Sequence, residues 1–303
     1  MSAGTAGAER FSCAARAQGD REPLLGTATA VRGYLLVEEP GPWGAGALPA
    51  SRLGEELTAA LKAVAARRGV KLLLVRRPDA AGRDPGGPRR LFLADCRRGA
   101  TALRTRVADL ADLAAAAAAE DGWSAAEGPL LLVCTHGRKD WCCAVRGRPV
   151  VTALAALDGH AVWECSHLGG DRFAATVLAL PGGAVHGHVE PADAPALLAA
   201  VRAGRVLPAK LRGRCGDAVV VQAAEGHARL ALGEDGLDAF VPRRAERLPD
   251  GPAGQVRWRV LLEAGGAPLE VDLREGRAPA QRLTCSAAGE QQARTWELEE
   301  LRR

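Results

Sequence analysis

The run Cys134-Thr-His-Gly-Arg-Lys-Asp-Trp-Cys-Cys143 is followed, a short stretch later, by Cys165-Ser-His-Leu-Gly-Gly-Asp171. Together they supply four thiols, the imidazoles of His136 and His167, and the carboxylate of Asp171, a donor set suited to a soft metal centre. His136, Arg138 and Lys139 beside the thiols favour thiolate, the form that binds metal or attacks a disulfide. Cys142 and Cys143 are vicinal and do not easily ligate one ion together, so one ligates while the other packs or supports. Gly169 and Gly170, between His167 and Asp171, are expected to let the backbone pass close to a bulky ligand.

These residues need elements that bring them together. Residues 130–133 read as a buried strand that ends at Cys134, placing the thiol at the C-terminal edge of a sheet, where open α/β sheets hold their ligands. A helix over 150–157 opened by Pro149, a strand over 161–164, a hairpin of 173–180 and 184–189 about Pro181-Gly-Gly183, and a helix from Pro191 to about 203 complete the unit. Cys165 and His167, two apart at a strand end, share a face. Upstream, a strand over 34–38, a helix over 51–68 stopped by Gly69, strands over 70–75, 91–94 and 102–107, and a helix over 110–120 give the same order. A Pro/Gly-rich loop over 78–88 interrupts them. The expected fold class is therefore α/β, with thioredoxin-like β-α-β-β-α units and a smaller β-rich C-terminal region. The latter consists of a helix over 218–230 and short strands over 256–263, 268–273, 281–285 and 294–298. The expected divisions are a flexible arm (1–24), an N-terminal unit (25–122), the thioredoxin-like unit with the metal centre (128–212), and the C-terminal region (213–303).

Composition bounds the function. A chain of 303 residues with 48% hydrophobic content buries a full core. Arginine outnumbers lysine heavily, yet the net charge is only +4 and the basic residues are dispersed. With one Tyr and four Phe there is no stacking platform, so nucleic acid is not an expected partner. No apolar run approaches the ~20 residues of a membrane span, and no export segment is visible. Eight cysteines in a chain this long are too sparse for a disulfide scaffold, and clustering four of them fits a reducing cytoplasm and a metal or redox role.

At these residues the sequence resembles the sucrase/ferredoxin-like family, whose fungal members are thioredoxin-like [2Fe-2S] ferredoxins. The resemblance rests on Cys134-Thr-His-Gly-Arg-Lys-Asp140 with Cys143, on Ser166-His-Leu-Gly-Gly-Asp-Arg-Phe-Ala174 and on Leu180-Pro-Gly-Gly183. Weaker echoes are Gly41-Pro-Trp-Gly44, Gly26-Thr27 and Gln222-Ala-Ala-Glu225; the likeness spans roughly Phe11 to Glu225. It implies a [2Fe-2S] cluster held by two cysteines with eight residues between them, matched by Cys134 and Cys143, and by an H-x-x-x-H pair. His167 matches the first histidine and Asp171 stands where the second is expected. The implied ligands are thus Cys134, Cys143, His167 and Asp171, with Cys165 or Cys142 as alternative fourth ligands. The implied role is an electron carrier serving redox partner proteins, rather than an independent enzyme.

Two other readings stay open on the residues alone: a thiol–disulfide redox protein using Cys134 with Cys142 or Cys143, and a structural zinc site or metal-free binding module. The first lacks a C-x-x-C motif. No pair of carboxylates argues for glycoside chemistry. His186 and His188 share a strand face without a supporting cysteine, and Trp43 is placed either to cap a pocket between the halves or simply to pack.

Overall fold

The computed structural model describes residues 10–48, 51–78 and 87–303. Residues 1–9 of the expected arm and 79–86 of the expected Pro/Gly loop lie outside them. Ten strands form one mixed sheet. In the N-terminal half these are β1 (Gly33–Glu38), β2 (Lys71–Arg76), β3 (Arg89–Asp95), β4 (Ala102–Ala108) and the short β5 (Ser124–Ala125). In the second half they are β6 (Leu130–Cys134), β7 (Val162–Cys165), β8 (Val177–Leu180), β9 (Ala184–His186) and β10 (Leu211–Arg214). The order is β10-β9-β8-β6-β7-β2-β1-β3-β4-β5. Each half therefore repeats one plan. Its first two strands are parallel and joined by a helix, α2 (Glu55–Arg68) or α4 (Trp141–Asp158), and the third pairs antiparallel with the first. The halves meet where β2 pairs antiparallel with β7, through Val75↔Cys165 and Arg76↔Glu164. The two expected units thus share a single sheet.

Strand periodicity sorts the side chains onto two faces. Leu35 and Val37 of β1 pack with α2 and α3 (Leu113–Ala118), and Leu131 and Val133 of β6 pack with α4 and α5 (Ala194–Arg202). The alternate residues Tyr34, Leu36, Leu73, Val75, Leu132, Cys134, Trp163 and Cys165 build one continuous core across both halves on the other face. That core is closed by α1 (Cys13–Gly19), which buries Cys13, Ala14 and Ala17, and by Cys285. The segment from Ser12 is therefore an ordered helix and not part of a flexible arm. Its contact face carries only small residues, so it shows no apolar period, and the Ser12 side chain caps it by accepting from Ala15 N–H.

The C-terminal region is a four-stranded antiparallel sheet, β11 (Phe240–Leu248), β12 (Arg257–Ala264), β13 (Ala267–Arg277) and β14 (Arg294–Arg302), wrapped on α6 (Val219–Leu232). Val220, Ala224 and Ala228 form the helix stripe against Phe240, Val260, Leu262, Val271 and Trp296. Residues 281–285, expected as a strand, instead form an irregular segment with one bridge, Gln281↔Gln291, and this segment returns to the large sheet.

The expectation that needs most revision is the helix after the cysteine loop. It begins at Trp141 and runs through Pro149 without ending. Asp140 starts it, its carboxylate accepting the Cys142 N–H at 2.9 Å. Cys142 and Cys143 consequently sit in a helical first turn, about 100° apart around the axis.

Candidate metal centre

Cys134 leaves β6 at the sheet edge and is buried. Cys143 reaches it from the first turn of α4, and His167 from the loop after β7; one donor atom from each lies within 4.8 Å of the others. Asp171, in a short 3-10 turn after Gly170, touches two of the three: its Oδ1 accepts from Cys143 Sγ at 3.3 Å and lies 2.9 Å from His167 Nδ1. The latter contact is an ion pair that holds the imidazole against the carboxylate. The four implied ligand residues are therefore neighbours, with Asp171 bordering a tighter group of three.

The electrostatics fit a site that holds charge. Cys134 is drawn well below the ordinary thiol range, chiefly by the Cys143 thiol that donates to it. Burial opposes this, while His167 and the N–H groups of His136 and Leu168 assist. The same contact pushes Cys143 up, so the pair keeps a thiolate at Cys134. Burial disfavours an imidazolium at His167, but the Asp171 carboxylate and Cys134 outweigh it and raise His167 to about 9. Burial likewise works against a charged Asp171, and His167 reverses it, so the carboxyl titrates below its usual range.

The surroundings explain how the loops are held. A Cβ on Gly147 would collide with the Cys134 carbonyl oxygen, so glycine there lets α4 lie directly against the end of β6. Gly170 has φ +73°, and a Cβ on it would strike the guanidinium of Arg212. The close approach expected of the glycine pair thus includes a buried arginine. Arg212 in turn donates to the Gly169 carbonyl at 2.9 Å and to Thr27 Oγ1 at 3.1 Å, tying the His167–Asp171 loop to the segment before β1. From the N-terminal half, the Gly44 carbonyl meets His136 Nε2 at 2.8 Å and Trp43 lies edge-on to the same ring. Trp43 is buried and donates to Glu39 O, so it packs the joint between the halves.

The remaining candidates fall elsewhere. Cys165 is fully buried in the shared core, opposite Val75 across the β2–β7 joint. Cys142 points away from Cys143, towards Cys285 at 3.1 Å. Arg172 pairs with Glu22 at 2.7 Å rather than with Asp171. His186 is buried, its Nε2 accepting from Leu207 N–H at 3.3 Å. Gln222 and Glu225 lie on α6, where Glu225 binds Arg98 and Gln222 donates to Asp217 O at 3.0 Å.

A family model described as sucrase/ferredoxin-like matches residues 24–213, from the segment before β1 into β10. The chain belongs to the sucrase/ferredoxin-like family. No curated protein and no solved structure gives a significant match. The sucrase/ferredoxin-like match covers both halves of the large sheet and every residue of the Cys134 centre, and it stops before the C-terminal sheet. Two residue groups near the centre were not anticipated. Arg212 is an arginine in a strand with no local motif, and the Cys13–Asp140–Cys142–Cys285 cluster draws on three distant parts of the sequence. An unpaired Cys142 next to a used Cys143 was the one available signal for the second.

Proposed function

We propose that this protein is an iron–sulfur electron carrier whose centre is a [2Fe-2S] cluster held by Cys134, Cys143, His167 and Asp171. The observation that carries the reading is the convergence of two thiols, one imidazole and one carboxylate at the sheet edge. Mixed sulfur and non-sulfur ligation is an established way of holding such a cluster and of raising its potential. When bound, the group supplies one-electron transfer. The chain's part is to hold thiolates in a dry pocket and to offer one exposed edge. The His167 side chain is 28% exposed and that of Asp171 3%, so His167 marks the face at which a redox partner protein docks.

The plan of the two halves supports a thioredoxin-like unit for each, with strands ordered second, first, third, fourth in both. Burial of Cys134 and Cys143 disfavours thiol–disulfide exchange, which requires an accessible sulfur. Cavities of about 850 Å³ and 460 Å³ are walled by residues such as Arg76, Arg148 and Glu164, and Leu103, Pro181 and Arg202, with no thiol in either. Among the described residues no helix is long and apolar enough to cross a membrane.

One observation favours a second reading. Cys134, Cys143 and His167 are close enough together to bind a single ion, which fits zinc. Purification without oxygen, followed by an absorption spectrum and a count of iron, zinc and acid-labile sulfide, decides between them. Iron and sulfide in equal amounts with visible absorbance is the expected result. Zinc at this site without sulfide would sink the electron-carrier reading.

A further inference from the structure

Cys13, Cys142, Cys285 and Asp140 converge on one point beside the α4 first turn, on a different face from Cys143, each offering a donor atom within 4.8 Å of the others. Cys142 Sγ is 3.1 Å from Cys285 Sγ, and Cys285 Sγ is 3.5 Å from Cys13 Sγ. Cys13 Sγ lies 3.7 Å from Asp140 Oδ2. We propose that these four residues form a second, structural metal site that takes zinc or another d¹⁰ ion of similar size, independent of the Cys134 centre.

The spacing decides the kind of metal. Four ligands around one zinc with bonds of about 2.3 Å place sulfurs roughly 3.8 Å apart. The observed separations of 3.1 and 3.5 Å are shorter than that, so one ion fits with a small outward movement of the thiols, and they leave no room for a cluster of several irons between the sulfurs. Three thiolates and a carboxylate are a soft set with one hard member, which suits tetrahedral zinc and excludes magnesium or calcium. Cys13 and Cys142 are buried and Cys285 is half-buried, so the site is closed, as structural zinc sites are.

The surroundings are those of a ligand set already oriented. Asp140 accepts Cys142 N–H through Oδ1 at 2.9 Å and Cys285 N–H through Oδ2 at 2.7 Å, fixing the carboxylate while leaving each oxygen a further lone pair. Cys13 N–H points to Cys285 Sγ at 3.4 Å, and Ser12 Oγ lies 3.1 Å from Cys142 Sγ. Such contacts stabilise thiolate charge. In keeping with this, Cys142 is lowered to about 6, first by the Cys13 thiol that donates to it. Binding zinc releases the protons still carried by Cys13 and Cys285 to solvent, leaving three thiolates and one carboxylate on the ion. Trp141 and Phe11 shield the rim: Trp141 Nε1 donates to Phe11 O at 3.1 Å, and Arg282 stacks over Phe11.

The role follows from what the site joins. Cys13 and Cys285 are 272 positions apart, and Cys142 belongs to the helix turn that also presents Cys143. An ion here ties both ends of the described chain to α4. Linking positions so distant restricts the unfolded chain more than linking near neighbours.

The experiment uses the full chain carrying Cys134→Ser and Cys143→Ser, so that the first centre binds nothing. It is purified with zinc and analysed for metal, then examined by zinc X-ray absorption. One zinc per chain with three sulfur neighbours and one oxygen is expected, and adding Cys13→Ser with Cys285→Ser should reduce the zinc to none. Separately, Cys285→His should retain zinc, since imidazole replaces thiolate in such sites, while Cys285→Ser should lose it. In the otherwise unaltered protein, Cys13→Ser with Cys285→Ser should leave iron and sulfide at the first centre. Absence of zinc from the Cys134→Ser, Cys143→Ser chain would overturn the proposal, as would zinc that survives loss of Cys13 and Cys285 or has fewer than two sulfur neighbours. Should the serine variants not fold, cobalt added to the metal-free unaltered chain decides: intense thiolate-to-cobalt absorption at one equivalent beyond the first centre supports the site, and its absence refutes it.

Discussion

Cys142 and Cys143 are adjacent in sequence and serve different clusters. Cys143 Sγ is 3.3 Å from Asp171, beside Cys134, and Cys142 Sγ is 3.1 Å from Cys285. The cause is the early start of α4. In a loop the two thiols could have been turned in many ways and in a strand they would face opposite ways, whereas in a helix their directions differ by a fixed ~100°. One turn of helix thus serves both the proposed electron-carrying centre and the proposed zinc site.

The two thiols of the first centre should be individually required. Cys134→Ser and Cys143→Ser are each expected to bleach the visible spectrum of protein purified without oxygen. Cys96→Ser and Cys215→Ser, in the core but outside both clusters, should leave it unchanged. A coloured Cys134→Ser protein would remove Cys134 from the ligand set.

Asp171 is the residue where this chain leaves the pattern implied by its family. If its carboxylate ligates, Asp171→Ala weakens retention of the cluster, and Asp171→His keeps it while raising its potential, because a neutral ligand replaces an anion. The measurements are iron retention on gel filtration and a redox titration. A spectroscopically silent Asp171→Ala would leave the carboxylate as no more than the partner of His167.

Gly147 offers a test of packing in which the usual sign reverses. Glycine to alanine inside a helix ordinarily stabilises by about 0.5–1 kcal/mol. Here the new Cβ meets the Cys134 carbonyl, and overpacking of that kind costs about 1–3 kcal/mol, so Gly147→Ala should lower Tm and loosen the centre. Gly159→Ala, at the end of the same helix with its nearest neighbour at 3.5 Å, should be close to neutral. Equal Tm changes for the two would show that Gly147 is not a tight contact.

Acid sensitivity should arise in part far from either cluster. Burial pushes His186 down to about 4 from an ordinary 6.5. Above pH 6.5 the ring is neutral in both folded and unfolded chains; as pH falls towards 4 only the unfolded chain takes the proton. Stability is therefore complete above about 6.5 and falls progressively to pH 4, by on the order of 3 kcal/mol from this group. Urea midpoints measured across that range should fall less steeply for His186→Gln. An unchanged slope would mean that His186 is accessible to protons in the folded protein.

The strands of both halves were largely legible because alternation and bounding turns mark them, and Cys134 at the end of 130–133 followed directly. The cluster side of α4 was not legible. Pro149 resembles a helix start, and it interrupts the pattern, but the helix tolerates the lost N–H because packing on Leu131 and Val133 holds its later turns. Helix α1 was hidden for the opposite reason: Ala14 and Ala17 bury completely while supplying almost no hydrophobic signal. The second cluster joins three stretches of sequence separated by 127 positions or more, a distance that no local pattern spans. Arg212 was missed because its value lies in the backbone it contacts across the sheet.

The seam between β2 and β7 sets a limit on modularity. Only two residue pairs are in register there, yet Arg76 Nε reaches Glu164 at 2.9 Å, Thr135 Oγ1 joins the same carboxylate at 2.8 Å, and Leu74 and Ser166 exchange two further hydrogen bonds. Cutting the chain between its halves would bare two apolar inner strands as sticky edges and strand Glu164 without its cation. The cysteine-bearing half is therefore not a portable cassette. For engineering or transplantation the smallest useful piece is the whole ten-stranded sheet, with its terminal segments attached.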